Sequence, residues 1–180
     1  MEPATFWSLI AKTVPFRSDQ DAQLHALHDV LDGLDPGTIE GFETAFQHAL
    51  RRALTWDLWG AAHVIHGGMA DDGFEYFRTW LISRGRDTFE RALTDADGLG
   101  SAIPDDMEDP CEFEEFAYAA IDVWTRKTGL DPLSDPASTF PAAGSSPTTQ
   151  PSGTPFKETG AHLAQRYPRL WKRFSGEPLG

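Results

Sequence analysis

The sequence predicts an all-α fold with a compact body of about six to seven helices, and three observations carry that prediction. Apolar residues recur at three-and-four spacing through residues 1–129. Residues that cap or stop helices punctuate those runs, and no stretch alternates with period two for long enough to make a strand. At 180 residues, 40% of them hydrophobic, the chain has enough material for one core and an appendage.

The elements follow in order. Ala4 to Val14 groups Phe6, Trp7, Leu9 and Ile10 on one side and ends at Pro15. Ser18 to Asp21 reads as an acidic capping box ahead of Leu24, Leu27, Val30, Leu31 and Leu34. Asp35 and Pro36 restart the chain as N-cap and first helical residue. They lead into a long helix whose apolar face is Ile39, Phe42, Ala45, Phe46, Ala49, Leu50 and Ala53. A helix over Trp56–His66 stops at Gly67-Gly68, and Asp71 is expected to cap the next one, through Phe74, Phe77, Trp80 and Leu81 to Gly85. A short helix over Asp87–Leu93 precedes the glycine-containing segment 97–101. The last body helix is expected to run unbroken from Cys111 to Thr128 and to stop at Gly129. Trp56, Trp59, Phe77, Trp80 and Trp124 are expected to supply much of the core.

Beyond this 1–129 body the composition changes. Residues 130–155 are dominated by Pro, Ser, Thr and Gly, with Phe140 as the one aromatic residue, and read as an extended or disordered linker. Residues 156–180 regain pattern, with Leu163, Tyr167, Leu170, Trp171 and Phe174 interleaved with Arg166, Arg169, Lys172 and Arg173. Residues 1–130 carry a net charge of −14, whereas residues 156–180 carry +3. The tail is therefore expected to dock on its own body, against the acidic segment 95–115, through Arg166, Leu170, Trp171 and Phe174. A coil of about 25 residues spans roughly 25–30 Å, enough to reach it.

Composition also excludes function classes. A net charge of −13 repels phosphate backbones, so no nucleic-acid binding is expected. No apolar run approaches the roughly 20 residues a membrane helix needs, and the first residues lack a secretory pattern, so the cytoplasm is the expected compartment. One cysteine, Cys111, makes neither an intramolecular disulfide nor a zinc site.

Constellations that suggest chemistry have plainer explanations. His63 and His66 are three residues apart on a helix, but no firm third and fourth ligand accompanies them, so neither a metal nor a cofactor is expected. Asp71 and Asp72 at a helix start would repel phosphate and suit capping and the helix dipole. Asp95-Ala96-Asp97-Gly98 is a poor calcium loop, because Leu99 stands where an oxygen ligand is wanted. Arg78, Arg84, Arg86 and Arg91 are interleaved with Glu75, Asp87 and Glu90, which accounts for them as ion pairs.

Phe6-Trp7-x-Leu9-Ile10, WDLWGAAHVIHGG from Trp56, Ala70-Asp71-Asp72-Gly73-Phe74, YFRTWLISRGR from Tyr76 and FERAL-x-D-x-D-x-L from Phe89 occur in one order along the body. Over residues 1–128 this arrangement resembles a bacterial family common in actinomycetes, the domain of unknown function numbered 4240. Ala70, His63 and His66 depart from its commoner form. The resemblance implies a compact helical cytoplasmic domain and no particular activity.

The function expected from these readings is a non-enzymatic protein-interaction domain with an acidic, aromatic-rich surface that attracts a basic protein partner. The surface would draw on Trp56, Asp57, Trp59, His63, Asp72 and Arg78. The alternative is a small-molecule-binding or hydrolytic enzyme with its pocket between helices 56–66 and 71–85, using Asp57, His63, Asp72 and Arg78. A third class, a toxin-neutralising immunity-type protein, shares the acidity but has no motif behind it.

Overall fold

The computed structural model describes residues 1–105, 110–141 and 150–179. Among them are nine α-helices: α1 (Pro3–Ala11), α2 (Gln20–Asp32), α3 (Pro36–Arg52), α4 (Trp56–His66), α5 (Asp71–Ser83), α6 (Arg86–Thr94), α7 (Ala119–Thr128), α8 (Gly160–Arg166) and α9 (Pro168–Phe174). Short 3-10 segments occupy Val14–Phe16, Ala96–Ala102 and Glu115–Ala117. The only strand-like pairing among the described residues is an isolated parallel bridge between Thr55 and Ser152. The fold is all-α. Seven helices form the body, and the tail adds two because its helical run breaks at Tyr167-Pro168.

Local chemistry places most boundaries. Asp19 accepts from the Ala22 amide at 3.0 Å and starts α2. Asp35 accepts from the amide and hydroxyl of Thr38 and starts α3, with Pro36 supplying the first helical φ. Thr55 caps α4 through the Leu58 amide at 3.1 Å. Gly67 (φ 72°) and Gly129 (φ 69°) end α4 and α7 in the left-handed region that favours glycine.

Several boundaries differ from expectation: α1 ends at Ala11 rather than Val14, and Asp19 rather than Ser18 caps α2. Ala70, not Asp71, occupies the cap position of α5 and offers no side-chain acceptor; Asp71 and Asp72 lie in the first turn, where their charge opposes the positive end of the helix. The expected helix from Cys111 begins only at Ala119, after extended chain and a 3-10 turn. Tertiary hydrogen bonds hold that entry open: Phe113 N donates to Tyr76 O at 3.1 Å, and Gln20 Nε2 donates to Glu112 O at 2.9 Å.

α3 packs on α7 and α5, α2 packs on α7, and α1 closes one side against α2 and α3. Trp80, Trp124, Phe6, Phe42, Phe46, Phe77, Phe89 and Phe116 fill the centre. Trp56 and Trp59, expected in the core, are only half-buried. They begin a ladder of stacked rings, Trp56–Trp59–Phe74–Phe77–Trp80, with centroid spacings of 5.3, 4.9, 6.2 and 5.7 Å, that leads from the surface to the centre.

One polar cluster penetrates this core. Arg84 is 9% exposed and donates to Arg17 O, Gln23 Oε1 and Ser83 Oγ, while Gln23 Nε2 donates to Ser83 O and Thr13 Oγ1. Burial lowers the Arg84 guanidinium to about 10 and raises the Cys111 thiol to about 12, so this cysteine is a protonated, buried packing group.

The stretch expected as a linker contributes contacts on both sides of residues 142–149, which lie outside the described residues. Phe140 packs on Trp124 at 5.3 Å, and Thr139 donates to Glu40, which also accepts from the Trp124 indole N–H. Ser152 exchanges backbone hydrogen bonds with Leu54 and Trp56 at the start of α4.

Candidate functional site

The residues singled out from the sequence do not form one cluster. Trp56, Asp57, Trp59 and His63 share α4 and lie close to the tail. Trp56 stacks on Trp59 with 10° between planes, Phe156 meets Trp56 edge-on at 6.1 Å, and the His63 ring tilts against Phe156 at 5.3 Å. Asp57 pairs with Arg166. Asp72 stands apart, exposed on the first turn of α5. Arg78 is a clamp between helices: it donates to Leu50 O at 3.0 Å and to Phe74 O, with its guanidinium 5.1 Å from the Phe74 ring centre. Where a pocket between α4 and α5 was expected, Trp59 stacks on Phe74 and its indole N–H donates to Met69 O at 3.1 Å. A cavity of about 260 Å³ lies elsewhere, between the end of α6, the 96–102 turn and Arg169.

His63 and His66 do not present a shared open face. His66 is buried, its Nδ1 2.9 Å from Ala62 O and its ring against Phe77; burial, opposed by that hydrogen bond and by Glu112, lowers its pKa and favours the neutral form. Among the described residues no group of three or more His, Cys, Asp or Glu is arranged to hold a metal ion. Asp106, Glu108 and Asp109 of the acidic segment lie outside the described residues.

The arrangement that does assemble charged and apolar groups is the face made by α4 and residues 95–105, covered by α8 and α9. Leu163, Tyr167, Leu170 and Phe174 are buried there. Trp171 instead lies against Gly160, closing the corner between the two tail helices. The phenol end of Tyr167 packs against the backbone of α4 at Gly60, its hydroxyl 3.5 Å from Trp56 O: a Cβ at residue 60 would sit 2.2 Å from the tyrosine oxygen. A glycine inside a helix costs about 1 kcal/mol relative to alanine, and here it makes room for a ring. Burial, opposed by the Arg166 guanidinium and aided by Asp57 and Asp97, pushes the Tyr167 phenol up to about 12.

Carboxylates of the body receive the tail's cations. Arg166 meets Asp57 and also donates to Thr154 O at 2.8 Å. Arg169 bridges Asp95 and Asp97. Arg173 pairs with Asp105 at 2.8 Å and donates to Ile103 O and Pro104 O. Asp97 does more than pair: it accepts from the amides of Arg169 and Leu170 at 3.0 Å each, so a carboxylate of the body caps the first turn of α9. Burial raises the Asp97 carboxyl, but the Leu170 and Arg169 amides and the Arg169 guanidinium outweigh it and hold the group below its usual 3.8.

Further along, Leu179 N donates to Ile65 O at 2.9 Å, and Pro178 lies on Gly67. The C-terminal segment thus ties α4 at both ends. Gly60 and Tyr167 were not among the expected site residues; Asp97 lies in the acidic segment 95–115 expected to meet the tail, but its capping of α9 was not expected. The legible signals were a glycine inside an apolar helical run and a Tyr-Pro pair ahead of a helix start.

Fold and site together define an all-α domain whose acidic face is covered by a basic, aromatic C-terminal tail. The chain belongs to the family described as Protein of unknown function (DUF4240), whose model matches residues 1–126. The match takes in α1–α6, the whole acidic face and most of α7, while α8 and α9 lie beyond it. No match is found among curated proteins or among solved structures. No helix among the described residues is long and apolar enough to cross a membrane.

Proposed function

We propose that this chain is a non-enzymatic, cytoplasmic protein-interaction module that engages a basic partner through the acidic, aromatic face of α4 and residues 95–105. The observation that carries the reading is the pattern of the covered face. Three tail arginines, Arg166, Arg169 and Arg173, each meet a body carboxylate, and four apolar tail side chains bury alongside them. A surface that accepts one basic amphipathic segment has the chemistry to accept others. The enzyme reading gains no support from geometry, because Asp57, His63, Asp72 and Arg78 serve separate structural contacts or face solvent.

The test is a peptide panel read by fluorescence anisotropy. Basic, neutral and acidic amphipathic helices of equal length are titrated onto the full chain and onto a chain in which Arg166, Arg169 and Arg173 are each replaced by Glu. Saturable binding of the basic peptides alone, weakening as salt rises, is the expected result. Equal binding of all three, or of none, removes the reading.

A further inference from the structure

We propose that the tail is a displaceable latch: an internal copy of the partner's recognition element, which is a basic amphipathic helix entered through a Tyr-Pro corner. This rests on the interaction reading above and specifies both its partner and its regulation. The cradle, Thr55–Ile65 with Asp95–Asp105, lies wholly inside the family domain, whereas its occupant comes from beyond the match. The receptor and what fills it are therefore separate parts of the chain.

The cradle is specific in shape as well as charge. Gly60 leaves room against the helix backbone for the end of one ring, which the Tyr167 phenol fills. Pro168 then starts a helix without needing its own amide partner, and Asp97 accepts the next two amides, those of Arg169 and Leu170. Leu170 lies over Gly100, where a Cβ would come within 3.2 Å of it. A competing segment must reproduce this order: ring, proline, arginine, leucine, then an aromatic residue one turn on.

The latch is built to open. α8 and α9 have seven residues each, too short to persist as helices away from a surface, so they order when they dock. Arg169 is 60% exposed and Asp105 is 99% exposed, so solvent and salt weaken those pairs. Attachment compensates by raising the tail's effective concentration, which sets the level a partner must overcome.

The experiment uses the full chain and a labelled peptide of residues 156–179. The variant Tyr167→Ala, Leu170→Asp empties the cradle without altering it. It is expected to bind the peptide about tenfold or more tighter than the wild type, and to lose binding when Asp97→Asn and Gly60→Ala are added. A scrambled peptide of the same composition is expected not to bind. Equal binding of native and scrambled peptides overturns the latch but leaves a general acidic interaction face. Binding of neither removes both readings, and dimers formed by exchanged tails make a second copy the occupant and overturn the external partner. Hydrogen exchange on the unaltered chain decides between a latch and a fixed tail even where the variant unfolds. Amides of α9 are expected to exchange through an opening that leaves α5 protected, and exchange of α9 only together with α5 overturns the latch.

Discussion

The centre of the body and the tail-covered face are both buried, yet they are held by different physics. Around Trp80 and Trp124 the neighbours are mostly rings and aliphatic groups, apart from Arg84 over the Trp80 ring and Glu40 on the Trp124 indole, and the hold scales mainly with volume filled. On the tail face, apolar burial by Tyr167, Leu170 and Phe174 is interleaved with carboxylate–arginine pairs and a cap supplied across the interface by Asp97. The first region should respond to lost volume and ignore salt. The second should respond to shape, pH and, weakly, salt.

The largest effect is expected at the centre. Trp80→Ala should destabilise the chain by about 3–5 kcal/mol, read by chemical denaturation. A change under about 1 kcal/mol would erase the distinction between the two regions. At the interface, Gly60→Ala should cost about 1–3 kcal/mol, because its Cβ displaces Tyr167. In a Tyr167→Ala background the same substitution should turn neutral or stabilising, since only helix propensity is left. A double-mutant cycle reads that reversal, and its absence would show that Gly60 serves something other than the ring.

Asp97 sharpens the contrast in pH. Its folded carboxyl lies below the usual 3.8, so the stability it contributes is fully present above that value and is lost as pH falls through the lowered one. On lowering the pH from 7 through the lowered carboxyl value, the wild type should therefore lose more stability than Asp97→Asn. Equal slopes would mean that the cap carries no energy. The smallest effect is ionic strength: going from low to moderate salt should reduce stability by about 1 kcal/mol or less, and only while the tail arginines are intact.

What the sequence made legible follows the range of the forces involved. Caps and stops act within a few residues: Asp35, Gly67 and Gly129 mark helix ends as read, and the capping box read over Ser18–Asp21 lies one residue off, with Asp19 as the cap. Ala70 was missed as the α5 cap position because Asp71, the stronger capping residue, stands beside it. The start of α7 was missed because Tyr76 and Gln20, far away in sequence, hold Phe113 and Glu112 extended. Trp56 and Trp59 lie on an apolar face, but periodicity does not say how deep that face sits. At the candidate site, Arg166, Leu170 and Phe174 were readable from charge and spacing. Gly60 and Asp97 acquire their roles only from what crosses over them.

The hydrogen bond from Leu179 to Ile65 joins residues 114 positions apart. During synthesis at about 5–20 residues per second, roughly 6 to 23 seconds separate the appearance of α4 from that of the segment that ties down its end. Tyr167 follows Asp97 by 70 positions, so for roughly 4 to 14 seconds of that interval the chain carries Gly60 and the Asp95–Asp97 carboxylates with no Tyr167 to cover them. A nascent chain therefore carries this cradle before it carries the segment that covers it.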